Sequence, residues 1–361
     1  MHTQHLTRSK GHRSPPGMRV ALLSALLFGV TPPLAKVLLE RSSPVLLAGL
    51  LYAGSGVGLT LLRVGRDRAW RAMGLAPGEG GWLAATILCG GVLAPALLML
   101  GLARLDAATA SLLLNLEVVF TALIAWLAFR EATSRRVVLG LLAIFLGGAA
   151  MALPSRWASS AGGAGLIAAA CFCWALDNNL TRRIAGADAL ALAAVKGLAA
   201  GAVNIALALL LAGAVLPAAG RIGASLALGF AGYGVSLALY IVALRELGTA
   251  RASAYFGTAP FIGAAVSLVV FGRTGGAGFW VAAVLMGLGV WLHASEHHAH
   301  VHVHPGLRHS HAHAHDDSHG HRHEHEFDWD GREPHVHEHG HGELEHAHSH
   351  FPDIHHRHHH D

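Results

Sequence analysis

The chain has 361 residues, 53% of them hydrophobic and only 13% charged, with a formal charge of +4 at pH 7. That is too apolar for a water-soluble domain, and with the basic residues mostly arginines beside apolar segments, no nucleic-acid partner is expected. Cys89, Cys171 and Cys173 all fall inside apolar segments, so neither a disulfide scaffold nor a CxxC metal site is indicated.

Two materials share the chain. From Glu296 onward it holds 25 of the 29 histidines and 13 of the 22 acidic residues, whereas residues 18–293 run as apolar segments joined by short polar pieces. A basic N-terminal piece, 1–17, comes first, with Arg8, Lys10 and Arg13. Spanning the hydrocarbon core takes about 20 apolar residues. On that measure ten spans are predicted: about 18–39, 44–63, 81–102, 107–129, 135–153, 163–182, 188–213, 221–244, 250–271 and 276–293. The first imitates a signal peptide but is too long, carries Lys36 and shows no convincing cleavage site, so it reads as a retained helix. Pro32-Pro33 should break it. The fold class is therefore an all-α integral membrane protein. Its small residues suit helices packed closely in lipid.

Orientation follows from the basic residues at helix ends. With the N-terminus cytoplasmic, 15 basic residues fall inside (Arg8 to Arg251) against five outside: Arg41, Arg104, Arg156, Arg221 and Arg273. An even number of spans puts both termini in the cytoplasm, in a multi-pass protein of the inner, plasma membrane.

The two halves repeat. A shift of 142 residues lays LARLDAATAS (102–111) on LRELGTARAS (244–253) and continues through Phe129/Phe271 and Gly147/Gly289. Upstream, a shift of 146 lays FGVTPPLAK (28–36) on WALDNNLTR (174–182). A five-span unit, 18–153 and then 163–293, is odd-numbered, so the second copy is inverted. Secondary transporters are built this way, with the site at the repeat interface.

SLLLNLEVVFTALIAWLAFREATSRRVVLGLLAIFLGGAAM (111–151) resembles the fourth and fifth helices of an EamA-type repeat of the drug/metabolite transporter superfamily. In that pattern Glu117 takes the mid-helix glutamate position and Glu131 the exit glutamate. Val118 stands where proline is usual, and the second copy keeps Pro260 without the acid. The resemblance implies ten helices in two EamA repeats, cytoplasmic termini, and export or exchange of a small solute without enzymatic chemistry. It leaves the substrate open.

Ionisable groups in mid-membrane are costly and mark function by default. Lys36, Glu117, Asp177 and Lys196 stand out, with Asn178 and Asn179 beside Asp177. Three consecutive polar residues cannot share one helix face, since neighbours point about 100° apart. Glu117 and Asp177 are the candidates for proton coupling. Lys36 and Lys196 would complete an anion site or neutralise the acids. Tyr255 is a candidate for lining the path. Structural alternatives stand beside these: bending for Glu117, snorkelling for Lys36, and packing for Tyr255, Cys171 and Cys173.

Beyond Glu296 the alternating His-X-His stretches offer His297, His298, His300, His302, His304, His309, His311, His313, His315, His319, His321, His323, His325, His335, His337, His339 and His341 as metal ligands. With few apolar side chains to form a core, disorder is expected over 296–361. Without thiols the tail should prefer divalent nickel, zinc, cobalt or copper, held at several interchangeable sites. No cofactor is required. The expected partners are lipid, a small solute, protons and divalent metal. Three functions follow: a carrier of a small solute with a metal-binding tail, which is preferred; a divalent-metal exporter whose tail gathers the cargo; and a non-transporting membrane metal store, for which the five-helix repeat would be unnecessary.

Overall fold

The computed structural model describes residues 16–67, 73–129, 134–152, 159–184, 186–247, 249–272 and 274–295, with four strands further on. We label the helices α1 Gly17–Leu39, α2 Pro44–Arg66, α3 Gly80–Arg104, α4 Ala107–Ala128, α5 Arg135–Ala152, α6 Ser159–Thr181, α7 Ala189–Leu211, α8 Ala219–Leu247, α9 Arg251–Phe271 and α10 Ala277–Ala294. Seven of these, α1 to α4 and α7 to α9, are long and apolar enough to cross a membrane. The apolar run of α10, Ala277–Leu292, is shorter, and α6, which carries Asp177-Asn178-Asn179, is not among the seven. Leu61, Leu127, Leu210 and Val284 stand two-thirds exposed or more, as expected of side chains that meet hydrocarbon, where only backbone must be satisfied internally.

Local chemistry sets the helix ends. The Asp106 carboxylate accepts from Thr109 N (2.8 Å) to start α4, and that of Asp188 accepts from Ala191 N (2.8 Å) to start α7. Gly272, at φ 59°, closes α9 in the left-handed conformation. α1 is interrupted at Val30, and Pro32-Pro33 occupy the first turn of its second part, where a missing N–H costs nothing. The break expected there is present.

Irregularities recur from one half to the other. α3 winds as a π-helix over Ile87–Leu93, and α8 does so over Phe230–Val235, the same place after the shift of 142. α4 is interrupted at Leu114-Asn115 and α9 at Gly257-Thr258, within one residue of the same shift. π-turns are rare and concentrate at functional sites. Their recurrence is stronger evidence of duplication than the low sequence identity.

Packing also crosses between halves. α1 lies against α8 and α3 against α6, α2 against α7, and α5 against α10. Between α2 and α7 glycine lets backbones touch: a Cβ on Gly197 would come within 2.7 Å of Gly56 N, and one on Gly201 within 2.6 Å of Ala53 N. Between α1 and α8, Ser24 Oγ donates to Ser236 O (2.7 Å) and Ser236 Oγ to Ser24 O (2.9 Å), both fully buried. The main core gathers Leu47, Leu51, Leu98, Leu102, Leu113, Ile144 and Ile167.

The chain divides into two units, Met1–Glu296 and His297–Asp361. In the second, β1 His298–His304 pairs antiparallel with β4 Leu344–His350, and β2 Arg308–His313 with β3 His335–Gly340. The expectation of a tail without regular structure is corrected over these residues. Alternating His-X-His with Val301, Val303 and Val336 suits extended chain, and here the extended stretches find each other.

Candidate functional site

Asp177 and Asn178 are neighbours on α6, so they reach different helices. The Asp177 carboxylate takes the Lys196 ammonium of α7 in a close ion pair, their side chains 8% and 17% exposed. Thr181 Oγ1 also donates to Asp177 Oδ1 (3.2 Å). Asn178 turns to α4, where its Nδ2 donates to Glu117 Oε1 at 2.9 Å and lies 3.4 Å from Thr121 Oγ1. Asn179 is buried and pins the two helices together, donating to Ala175 O (2.8 Å) and Thr121 O (3.3 Å). Five of the seven sequence candidates thus converge across the two halves: Glu117 from the first, and Asp177, Asn178, Asn179 and Lys196 from the second.

The π-turn of α3 forms the floor. Gly90 packs so closely on Asp177 that a Cβ there would overlap the carboxylate. The Gly90 carbonyl accepts from Tyr52 Oη (2.9 Å) and from Trp174 Nε1 (3.1 Å). A π-turn displaces carbonyls from their usual donors, and fully buried Asn204 supplies replacements, its Nδ2 reaching Val92 O (3.2 Å) and Gly91 O (3.4 Å). The amide oxygens of Asn179 and Asn204 are buried and accept no hydrogen bond. A buried acceptor left without a donor is costly. From Tyr52 a string of rings leads on, Tyr52 to Tyr233 (5.4 Å between centroids), Tyr233 to Phe28 (6.0 Å), Phe28 to Phe256 (5.3 Å) and Phe256 to Tyr240 (4.7 Å).

Tyr52, Trp174, Asn204 and Thr121 escaped the sequence reading, since single aromatics and lone amides in apolar helices look like packing. The consecutive Gly90-Gly91 was the one readable signal, marking where another group approaches the backbone.

Two candidates lie elsewhere. Lys36 Nζ donates to Leu102 O and to Leu105 O (2.8 Å), carbonyls at the C-terminal end of α3. It acts there as a helix cap, favoured by the negative end of the dipole. The expected result of Lys36→Met is a loss of about 1 kcal/mol of stability, read as a lower melting temperature in detergent, with transport per folded molecule kept. Tyr255 packs with Ala21, Ala243 and Ala252, filling space beside α1 and α8.

Cys171 reads as packing, as expected: its thiol is buried against Leu113 O (3.7 Å) and Leu114 O (3.9 Å), where α4 is interrupted. Glu131 lies outside the described residues, as do His297, His315, His319, His321, His323, His325 and His341. Among the described residues no three of His, Cys, Asp and Glu converge on a metal position. A concavity of about 690 Å³ between α2 and α8 is lined by Gly54, Val57, Gly58, Leu61 and Phe230. Its apolar, open walls suit lipid contact, and the polar cluster lies elsewhere.

Residues 15–153 and 161–295 each match the EamA-like transporter family. An uncharacterized transporter of Methanothermobacter thermautotrophicus is 27% identical over 267 residues, covering 69% of this chain and 77% of that protein. A crystal structure superposes with a TM-score of 0.58 at 20% identity over 76% of this chain and 94% of its own, a likeness of fold alone.

Proposed function

The chain belongs to the EamA-like transporter family, whose profile it matches in two tandem repeats, and we propose that it is a secondary transporter that exports or exchanges a small polar solute. In this reading all ten helices span the plasma membrane, both termini are cytoplasmic, and the solute binds at the cluster around Asp177. The observation that carries the reading is that cluster itself: an ion pair, a second carboxylate and two buried amide oxygens without a donor, contributed by both repeats. Such groups cost several kcal/mol each to place within a membrane, so their retention there marks a functional site.

The charges suggest a division of labour. Asp177 and Lys196 neutralise each other, which leaves Glu117, held by a neutral amide, as the carboxylate free to change state. Glu117 is accordingly the coupling group, taking a proton on one side and releasing it on the other. A solute with an amine or amide has acceptors in Asn179 and Asn204, and a zwitterion finds both signs in Asp177 and Lys196. Divalent metal as cargo finds fewer partners, since no three ligands converge among the described residues of the helices.

The test is flux in inverted vesicles, with a panel of radiolabelled amino acids in one arm and nickel or zinc in another. Glu117→Gln keeps the hydrogen bond to Asn178 but cannot carry a proton. Flux driven by a pH gradient is expected to fall to background, while exchange of solute for solute persists. A chain ending at Ser295 should transport like the whole. Gradient-driven flux unchanged by Glu117→Gln refutes the coupling role, and metal flux in place of amino-acid flux replaces the solute.

A further inference from the structure

Helices α2 and α8 touch and then part. A Cβ on Gly54 would overlap the backbone of Leu226, and one on Gly58 would overlap the ring of Phe230. At Phe230 the π-turn of α8 begins, and after it α8 meets α1, where Ser24 bonds Ser236. α2 goes on without that neighbour: Leu61 and Leu62 are 67% and 50% exposed, and a Cβ on Gly65 would meet nothing within 4 Å. The wedge left open is the concavity of about 690 Å³, apolar along its walls except for Arg66.

Length and charge point to its occupant. From Gly54 to Arg66 α2 rises about 18 Å at about 1.5 Å per residue, and one leaflet contributes about 15 Å of the hydrocarbon core. Gly54 lies near the middle of the span Pro44–Arg66 and Arg66 ends it, so the groove runs from mid-membrane to one surface. An acyl chain of that leaflet has this reach. Arg66, exposed in the last turn of α2, stands at the depth of the lipid phosphate. The equivalent helix of the second half has neither feature. Laid on α2 from its first residue, α7 puts Val203 on Gly58, Leu210 on Gly65 and Leu211 on Arg66. Contact with bulk hydrocarbon alone gives no reason for that difference.

We propose that the groove between α2 and α8 binds one anionic phospholipid, its acyl chain laid along Gly58 and Gly65 and its phosphate held by Arg66. A guanidinium presents paired N–H donors that match phosphate oxygens. Within a membrane the gain from filling the wedge is van der Waals contact, since nothing leaves water. The lipid braces α8 against α2 where the π-turn separates them. The inference needs these helices to span a membrane and does not depend on what they carry.

The test uses the full-length protein purified in an uncharged detergent and stripped of lipid. Native mass spectra are taken with phosphatidylglycerol, or with phosphatidylcholine of the same chains. One phosphatidylglycerol per monomer is expected, held about tenfold more tightly than phosphatidylcholine and raising the melting temperature, while inorganic phosphate alone leaves that temperature unchanged. Arg66→Gln should abolish the preference and leave phosphatidylcholine binding as it was. Gly65→Leu, which fills open space, should weaken both lipids. Arg104→Gln, an exposed arginine on the other side of the membrane in our reading, should change nothing. Equal affinity for the two lipids, a preference that survives Arg66→Gln, lipid binding undiminished by Gly65→Leu, or an equal effect of phosphate alone overturns the site. So does a dimer that excludes lipid, which would give the groove to a second copy of the chain. Flux plays no part in the readout, so failure of the transport reading leaves this result intact.

Discussion

Lys196→Ala is expected to destabilise the folded protein by about 3–5 kcal/mol, the cost of leaving a buried carboxylate without its counter-ion. Asp177 has nowhere else to turn: its side chain is 8% exposed, its other oxygen is occupied by Thr181, and Gly90 closes one side. The reverse substitution, Asp177→Asn, should cost less. Lys196 is eight residues into α7, on the cytoplasmic side in our reading, and a long side chain can carry its ammonium toward that interface. The pair Asp177→Asn with Lys196→Met should recover most of the stability lost in Lys196→Ala, because two well-packed neutral groups replace a buried ion pair at little cost. Transport should be lost in all three. Unfolding by denaturant in detergent measures the stabilities, and a Lys196→Ala protein as stable as the double variant would show that water reaches Asp177 freely.

This asymmetry bears on how the site works. Under the proposed function the ion pair that both repeats enclose is the gate, because a zwitterionic solute can substitute for each partner in turn without leaving either charge bare. Glu117 then adds a third ionisable group whose state need not match theirs. Its carboxylate accepts from Asn178, an exposed residue on α6.

The sequence made the ionisable half of the site legible and left the rest hidden. Asp177, Lys196 and Glu117 could be picked out because charge in an apolar run has few bland explanations. Lys36 failed the same test for a physical reason: near a helix end a lysine has backbone carbonyls to serve, and composition does not reveal which helix terminus lies beside it. Tyr52 and Trp174 were invisible because aromatics are ordinary filler in such helices, and only the π-turn of α3 gives their hydrogen bonds a target. The tail fared differently. Its few apolar side chains read as disorder over 296–361, and a periodic stretch is compatible with many registers, so pairing could not be read from it.

Gly90→Ala is expected to reduce transport by about two orders of magnitude while the protein still folds. The added methyl would overlap the Asp177 carboxylate and lie 2.6 Å from its Cβ, and a side chain that short has no flexible end to swing away. The turn cannot retreat easily either, since Tyr52, Trp174 and Asn204 hold its carbonyls. Relief therefore comes by driving Asp177 off Lys196. A displacement of about 1 Å at a working site can cost a hundredfold in rate, against about 1–3 kcal/mol of stability for overpacking. Gly232→Ala is the built-in control, because Gly232 is the equivalent residue of the second π-turn. A methyl there would overlap Thr31 Oγ1, the counterpart of Asp177 under the repeat. Thr31 is uncharged and only donates to Leu27 O in its own helix, so the same overpacking should lower stability with far less effect on flux. Combining Gly90→Ala with Asp177→Ala should then restore stability without restoring transport. Equal flux losses in the two glycine variants would mean that the π-turns matter only as packing, and that the chemistry assigned to Asp177 lies elsewhere.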